Sequence, residues 1–516
     1  MKKEKVLLLG ASGSMGYEAF KHLWKKRAKY DIVLLLMPLK REKKLFAPYE
    51  KISRIKSIKG KGIVKANGLK IVWGNATNFS DVFEACKDID WCLCSMALIS
   101  PEADQNPEKA ELVNTVAIQH VVKAIEAQPN GANHIKFIYT GSVAQTGDRL
   151  RKIHMGRIGD PIKPSIFDYY AITKIRGEKA VIESNIKYWV SLRQTFIMIP
   201  KVMSLMDPIL FHQPIETLME NNTSRDAGRG LINCLDVPED SDFWRKIYNM
   251  GGGPSCRTSF YDFLNQYLTI IGLGSIEDVT ERNWFALRNF HMQYFEDSYI
   301  LNEYIHNWGD SMEDYYNILN KNLPLSLRFI RFICQFSSRL KRLIQKIAYK
   351  KLERLALEKT GTLYWYNKRK DLRISAFYKD YETYDSIPKW DMNKTEQSQE
   401  GNWIRLNHGY DESKKRLTIE DLKRAAKFRG GQCIQENWNG DMYAQVKWKC
   451  AFNHDFIARP YTVLKAGHWC PECLPPPWNY DEVAMYNPYF AQVWYVNHNV
   501  GENNFYPADC YLDVIE

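Results

Sequence analysis

Residues 5–9 are a short apolar run that leads directly into Gly10-Ala11-Ser12-Gly13-Ser14-Met15-Gly16, and residues 17–26 then carry a helical pattern. Strand, glycine loop and helix in that order constrain this chain more than any other feature. One glycine makes the tight turn, one lets the backbone approach a pyrophosphate, and one lets helix and strand pack closely. The pyrophosphate then rests on the helix N-terminus, where free N–H groups and the helix dipole favour negative charge. Gly10, Ser12, Gly13, Met15 and Gly16 are therefore the candidate dinucleotide cradle.

The segments that follow agree with this. A second strand, residues 31–37, ends where an acid would hold the ribose 2′-hydroxyl of NAD. No acid stands there; Met37-Pro38-Leu39 is followed by Lys40, Arg41, Lys43 and Lys44. Cations at that place suit a 2′-phosphate, so NADP(H) is expected ahead of NAD(H), the alternative being plain surface charge. Residues 69–73 read as a third strand, 81–87 as a helix, and 91–97 as a fourth strand ending in small residues, with Met96 and Ala97 at its cofactor end. Strand and helix alternating in this way imply an α/β, doubly wound parallel sheet.

Residues 137–142, Phe-Ile-Tyr-Thr-Gly-Ser, form a further buried strand ending in the hydroxyl of Ser142. Tyr170 and Lys174 stand four apart, which on a helix puts both on one face. Hydride transfer at a carbon bearing oxygen needs a proton donor or acceptor at that oxygen, and a free tyrosine with a pKa of about 10 is a poor base at neutral pH. A neighbouring ammonium on Lys174 is expected to favour the phenolate and to reach the cofactor ribose, while Ser142 orients the substrate oxygen. Spacing excludes Tyr169 as the partner of Lys174. His154 falls between Ser142 and Tyr170, as an exposed loop residue or as part of the substrate mouth.

In this order the glycine loop, the serine strand and the Tyr-x-x-x-Lys helix resemble the extended short-chain dehydrogenase/reductases, the NAD-dependent epimerase/dehydratase group, over about residues 5–300. The resemblance implies a Rossmann-type fold with a smaller substrate lobe, mainly residues 195–320. It assigns Asn114 to the active-site tetrad with Ser142, Tyr170 and Lys174. It also matches Gly74-Asn75-Ala76 to the segment that touches the adenine, with Asn75 in place of the usual acid, and matches Arg193, Asp226 and the strand Tyr248-Asn249-Met250-Gly251-Gly252 to family positions. The activity implied is NAD(P)(H)-dependent oxidoreduction of a carbonyl or alcohol. The alternatives are a nucleotide-sugar epimerase or dehydratase, and a binding protein that senses NADP(H), against which the intact Ser-Tyr-Lys trio speaks. Cys94-Ser95-Met96-Ala97 departs from the His-x-Ala-Ala of sugar-nucleotide enzymes. Aromatics between Trp284 and Trp308 read as core of the lobe, though they would also suit an apolar small-molecule substrate.

The chain has 516 residues, 45% of them hydrophobic, a net charge of +11 and 11 cysteines. That length exceeds one ordinary core. No apolar run approaches the ~18 residues of a membrane span, and nothing reads as a signal peptide, so a cytoplasmic protein with reduced thiols is expected. Cys450-x3-His454 and Cys470-x2-Cys473, fifteen residues apart, have the spacing of a tetrahedral structural zinc site. The pattern resembles zinc-ribbon and treble-clef modules, with Asn453 where these have glycine; Cys433, His468 and Cys510 keep the spacing less well. Such a module, residues 411–516, is expected to dock protein or nucleic acid, with Lys447, Lys449, Arg459 and Lys465 nearby. Between it and the enzyme part, residues 1–320, lie a basic amphipathic helix, 321–358, and a connector with linker, 359–410. The helix is expected to dock on the enzyme core or, alternatively, to touch an anionic membrane. Residues 360–391 read as β-rich and 393–401 as the linker. A homo-oligomer is expected.

Overall fold

The computed structural model describes residues 3–53, 65–66, 68–150, 155–200, 206–390 and 403–515; His154 and the linker at 393–401 lie outside them. An eight-stranded sheet runs in the order Lys246–Met250, Tyr188–Gln194, Lys136–Ser142, Trp91–Cys94, Glu4–Leu9, Tyr30–Leu36, Leu69–Trp73 and the short edge strand Lys65–Ala66. Every neighbouring pair is parallel except the last. The strands read as continuous Val/Ile/Leu runs because both faces are covered, as parallel sheets require. Chain order reverses between Glu4–Leu9 and Trp91–Cys94, which opens a crevice at their carboxyl ends, the usual ligand position of an open α/β sheet. This is the Rossmann-type fold expected.

Element boundaries differ in a few places. The helix after the third strand is Phe79–Ala85, started by the Asn78 side chain accepting the Ser80 N–H. The fourth strand stops at Cys94, and Ser95 to Ala97 leave the sheet. Residues 360–391 are not β-rich. They form the helices Thr362–Asn367, Asp371–Tyr378 and Tyr381–Asp385. Their tyrosines and tryptophan favour strands by propensity, but Ile374, Phe377 and Tyr378 return to one buried side at helical spacing. The basic segment is two helices, Leu325–Phe336 and Ser338–Ala356, broken at Ser337, whose side chain caps the second.

The C-terminal part closes against the sheet. The one-turn segment Tyr461–Lys465 lies beside the strands Tyr188–Gln194 and Lys246–Met250. The Tyr461 ring meets Trp189 edge-on at 5.8 Å, and its hydroxyl accepts the Ile247 N–H at 2.9 Å. Arg459 is correspondingly no surface cation: it is buried, donates to the Ile182 carbonyl at 2.8 Å and pairs with Glu183.

Candidate active site and metal centre

The three loop glycines divide the work as their places require. Gly10 has φ +80, and a Cβ on it would press into the backbone of Met96; one on Gly16 would fall on the Gly10 carbonyl. Gly13 faces open space apart from the Gly10 carbonyl at 3.4 Å. It precedes the helix Ser14–Lys25, whose N-terminus has no side-chain cap and whose first turn has no acid. Free N–H groups on an open glycine cradle fit a pyrophosphate. Met15 turns its side chain into the core, leaving only its backbone to the loop. Met96 and exposed Ala97 line the other side of the crevice. Asn75 uses its groups locally: its N–H donates to Asp81 and its Oδ1 accepts the Thr77 N–H. Ala76 is buried beneath that turn.

Lys40 and Arg41 open the helix Lys40–Ile52, and Arg41 Nη2 donates to the Ser12 carbonyl at 3.2 Å. Cations crowd the positive end of a helix dipole, where carboxylates are the favoured residues.

Ser142 ends the strand Lys136–Ser142 and starts a turn by a capping box, its Oγ accepting the Ala144 N–H while Gln145 Oε1 accepts its own N–H at 2.8 Å. Asp168 caps the helix Tyr169–Ile182 through the Ala171 N–H at 2.7 Å. Tyr170 and Lys174 follow on one face. Burial pushes the Tyr170 phenol up to about 12; a hydrogen bond from Ser142 opposes this, and the carboxylates of Asp168 and Asp104 add to it. The Lys174 ammonium donates to the Thr140 carbonyl at 2.6 Å and lies 4.3 Å from the centre of the Tyr139 ring. Burial brings it down to about 8, against the influence of Cys94 and Glu178. Burial is thus the main influence raising Tyr170, the two carboxylates add to it, and the Ser142 hydroxyl is the one group that favours the phenolate. Asn114 is fully buried, with its amide bonded to both backbone groups of Leu98 and to Thr173 Oγ1 at 3.0 Å. It ties the loop after the fourth strand to the Tyr170 helix.

Several functional candidates were missed by sequence reasoning. Asp104 accepts the Tyr170 N–H at 3.1 Å, and burial together with the Asp168 charge raises its carboxyl to about 7. His291 Nδ1 lies 3.0 Å from Asp168 Oδ2, and its ring stacks on Phe290. These groups line a pocket with His212 and Arg373. Asp168, directly before Tyr169-Tyr170, was legible as a helix cap; Asp104 arrives on the short helix Glu102–Gln105 and His291 on a distant loop, and neither carried a local signal. Tyr169 faces away from the pocket, its hydroxyl donating to the Ala508 carbonyl at 3.2 Å and its ring against Trp478 and Tyr511.

In the C-terminal part, Cys450 and His454 flank the turn between the strands Val446–Lys449 and Asp455–Ala458. Asn453 has φ +62, the left-handed region that asparagine tolerates better than most residues, which explains its standing for glycine. Ligand atoms of Cys450, His454, Cys470 and Cys473 all lie within 4.8 Å of one another. Cys450 Sγ to Cys473 Sγ is 3.9 Å, and His454 Nδ1 is 3.5 Å from both Cys470 Sγ and Cys473 Sγ. A tetrahedron with Zn–S of about 2.3 Å and Zn–N of about 2.0–2.1 Å has edges of roughly 3.5–3.8 Å. The donor set fits zinc. The three rivals are engaged elsewhere: His468 bonds Glu178, Cys510 lies beside Tyr169, and Cys433 is buried in the strand Gln432–Cys433.

No protein-family model matches the chain, and no curated protein matches it. Solved structures similar to it include MoeE5 in complex with UDP-glucose and NAD, at 12% identity and a TM-score of 0.45, covering 62% of this chain and 97% of that one. The UDP-Glc/GlcNAc 4-epimerase from Campylobacter jejuni gives 14% identity and a TM-score of 0.46, covering 61% and 97%. A dTDP-glucose 4,6-dehydratase from Bacillus anthracis gives 13% and 0.45, covering 62% and 97%. Likeness at these values bears on neither substrate nor mechanism.

Proposed function

We propose that the chain is an NAD(P)(H)-dependent oxidoreductase acting at a carbonyl or alcohol carbon, with NADP(H) preferred. The observation that carries this reading is the arrangement of Ser142, Tyr170 and Lys174 at the carboxyl end of one sheet whose switch point holds the open glycine cradle. When bound, the nicotinamide cofactor would supply or accept the hydride. Gly10, Gly13 and Gly16 would receive its pyrophosphate, and Arg41 with Lys40 a 2′-phosphate.

On this reading Tyr170 acts first as a donor. Its phenol, protonated at neutral pH, would give its proton to the substrate oxygen as that oxygen gains charge, and Ser142 Oγ would hold the same oxygen in line. Lys174, bonded to the Thr140 carbonyl, holds its helix turn against the serine strand. Cys450, His454, Cys470 and Cys473 would bind a structural zinc that leaves no open position for chemistry.

Asp104 favours a second reading, as a dehydratase. Simple reduction needs one proton at one oxygen, whereas elimination of water needs a second acid or base, and a carboxyl near neutrality beside Tyr170 could serve.

The test offers purified protein NADPH, then NADP, with a panel of ketones, alcohols and nucleotide sugars, followed at the reduced-nicotinamide absorbance band. Net turnover supports the dehydrogenase; cofactor that copurifies, with product formed and no net absorbance change, supports the second reading. Absence of binding to either cofactor by calorimetry would sink both.

A further inference from the structure

The two basic helices fasten only one edge to the enzyme. Leu327, Ile344, Ala348 and Tyr349 pack on the substrate lobe. Gln345 Nε2 donates to the Leu273 carbonyl at 2.7 Å, and the Tyr349 hydroxyl donates to Glu281 at 3.1 Å. A second apolar stripe faces outward. Leu325, Phe329, Phe332 and Phe336 are 81%, 64%, 57% and 75% exposed, at the i, i+4, i+7, i+11 spacing of one helix side. Leu343 and Ile347 continue it on the second helix at 55% and 60%. The helices are already anchored, so this stripe is not a face waiting for the chain's own core. Contiguous apolar surface of this kind marks an interaction site.

Charge selects the partner. Residues 325–352 contain no Asp or Glu. Arg339, Arg342, Lys346, Lys350 and Lys351 stand exposed beside the stripe. A second copy of the chain docked here would bring like charges together, whereas an anionic bilayer takes phenylalanine and leucine into its interface and pairs the cations with phosphate. No helix among the described residues is long and apolar enough to cross a membrane, so the fit is to lying in the surface.

We propose that the helix pair Leu325–Phe336 and Ser338–Ala356 docks the protein on an anionic phospholipid surface, through its outward Leu/Phe stripe and flanking cations. The full chain would be mixed with phosphatidylcholine vesicles containing or lacking phosphatidylglycerol, then separated by flotation. Floating with the anionic vesicles, and release by salt, is the expected result. Phe329→Ser, Phe332→Ser and Phe336→Ser together should abolish it. The set Arg339→Glu, Arg342→Glu and Lys346→Glu should weaken it by about 100-fold, at about a fivefold loss or more per charge. All six residues are outside the core, so thermal unfolding should match wild type in both variants. The proposal is overturned if wild type ignores anionic vesicles at low salt, or if either variant floats like wild type. It is equally overturned if wild type is a dimer that the phenylalanine variant splits and neither binds vesicles.

Discussion

Glu178 and His468 stand 290 residues apart in the chain, yet His468 Nε2 lies 3.0 Å from Glu178 Oε2 in a fully enclosed site. Glu178 also takes Arg193 Nη2 at 2.7 Å, the Ser191 hydroxyl at 2.7 Å and Gln145 Nε2 at 2.9 Å. Burial works against its charge, but Arg193 and His468 hold the carboxyl well below its usual range. Since Gln145 also caps the Ser142 turn, one polar network runs from the proposed metal module to the proposed catalytic serine. Glu178→Gln would leave the Arg193 guanidinium buried without a counter-charge, and should cost about 3–5 kcal/mol in urea unfolding. A loss below about 1 kcal/mol would show the network to be idle.

The same contacts bear on whether the sheet part stands alone. A chain ending near residue 320 loses His468, Tyr461 and the aromatic cover of Tyr169, leaving Trp189 and Ile247 uncovered on one face. It is expected to aggregate or to lack a cooperative transition by circular dichroism. A stable truncated protein that binds cofactor would show that the C-terminal cover is dispensable.

Metal analysis should find one zinc per chain. Cys470→Ser should lose it, and because the module packs on the sheet, the loss should lower the melting temperature of the entire protein in one transition. Two separate transitions, with the upper one unmoved, would mean that the module unfolds by itself.

Tyr170→Phe keeps the ring and removes the hydroxyl, so cofactor binding should persist while turnover falls by roughly 10²–10⁴-fold. Lys174→Met should be worse, since it also removes the hold on the Thr140 carbonyl. Ser142→Ala should be the mildest in rate, with a stability loss of about 1 kcal/mol from the missing cap. Tyr169→Phe gives up one hydrogen bond to the C-terminal segment and should turn over like wild type. Steady-state rates on whichever substrate the screen identifies decide the order. Replacing both Lys40 and Arg41 with Ala should weaken NADPH much more than NADH by calorimetry; equal weakening would remove the 2′-phosphate assignment.

His498 gives a pH dependence. It is buried against Trp494, and burial, with Arg288 and Lys163 nearby, keeps its pKa well below the ordinary value. Below about pH 6.5 the unfolded chain takes up a proton there that the folded protein refuses, so stability falls as pH drops, by up to about 1.4 kcal/mol per unit. His498→Gln should flatten that slope in melts between pH 7 and 5.

What the sequence determined by itself is local. Glycine turns, the alternation of apolar strands with helices, the Tyr170 to Lys174 register and the two pairs of metal-type ligands are set by neighbours within a few residues, and all were readable in order along the chain. The helices at 362–385 were misread because aromatic content mimics a strand when only composition is weighed. Tertiary structure alone decided the rest. Asp104 reaches Tyr170 from a one-turn helix, and His291 reaches Asp168 from a loop, neither with a pattern of its own. Glu178 and His468 look like an ordinary helix acid and a spare ligand until folding buries them together. The upward push on the Tyr170 phenol and the downward push on the Lys174 ammonium follow first from burial and then from which charges end up nearby, where dielectric and distance set the energies, and no spacing along a chain specifies either.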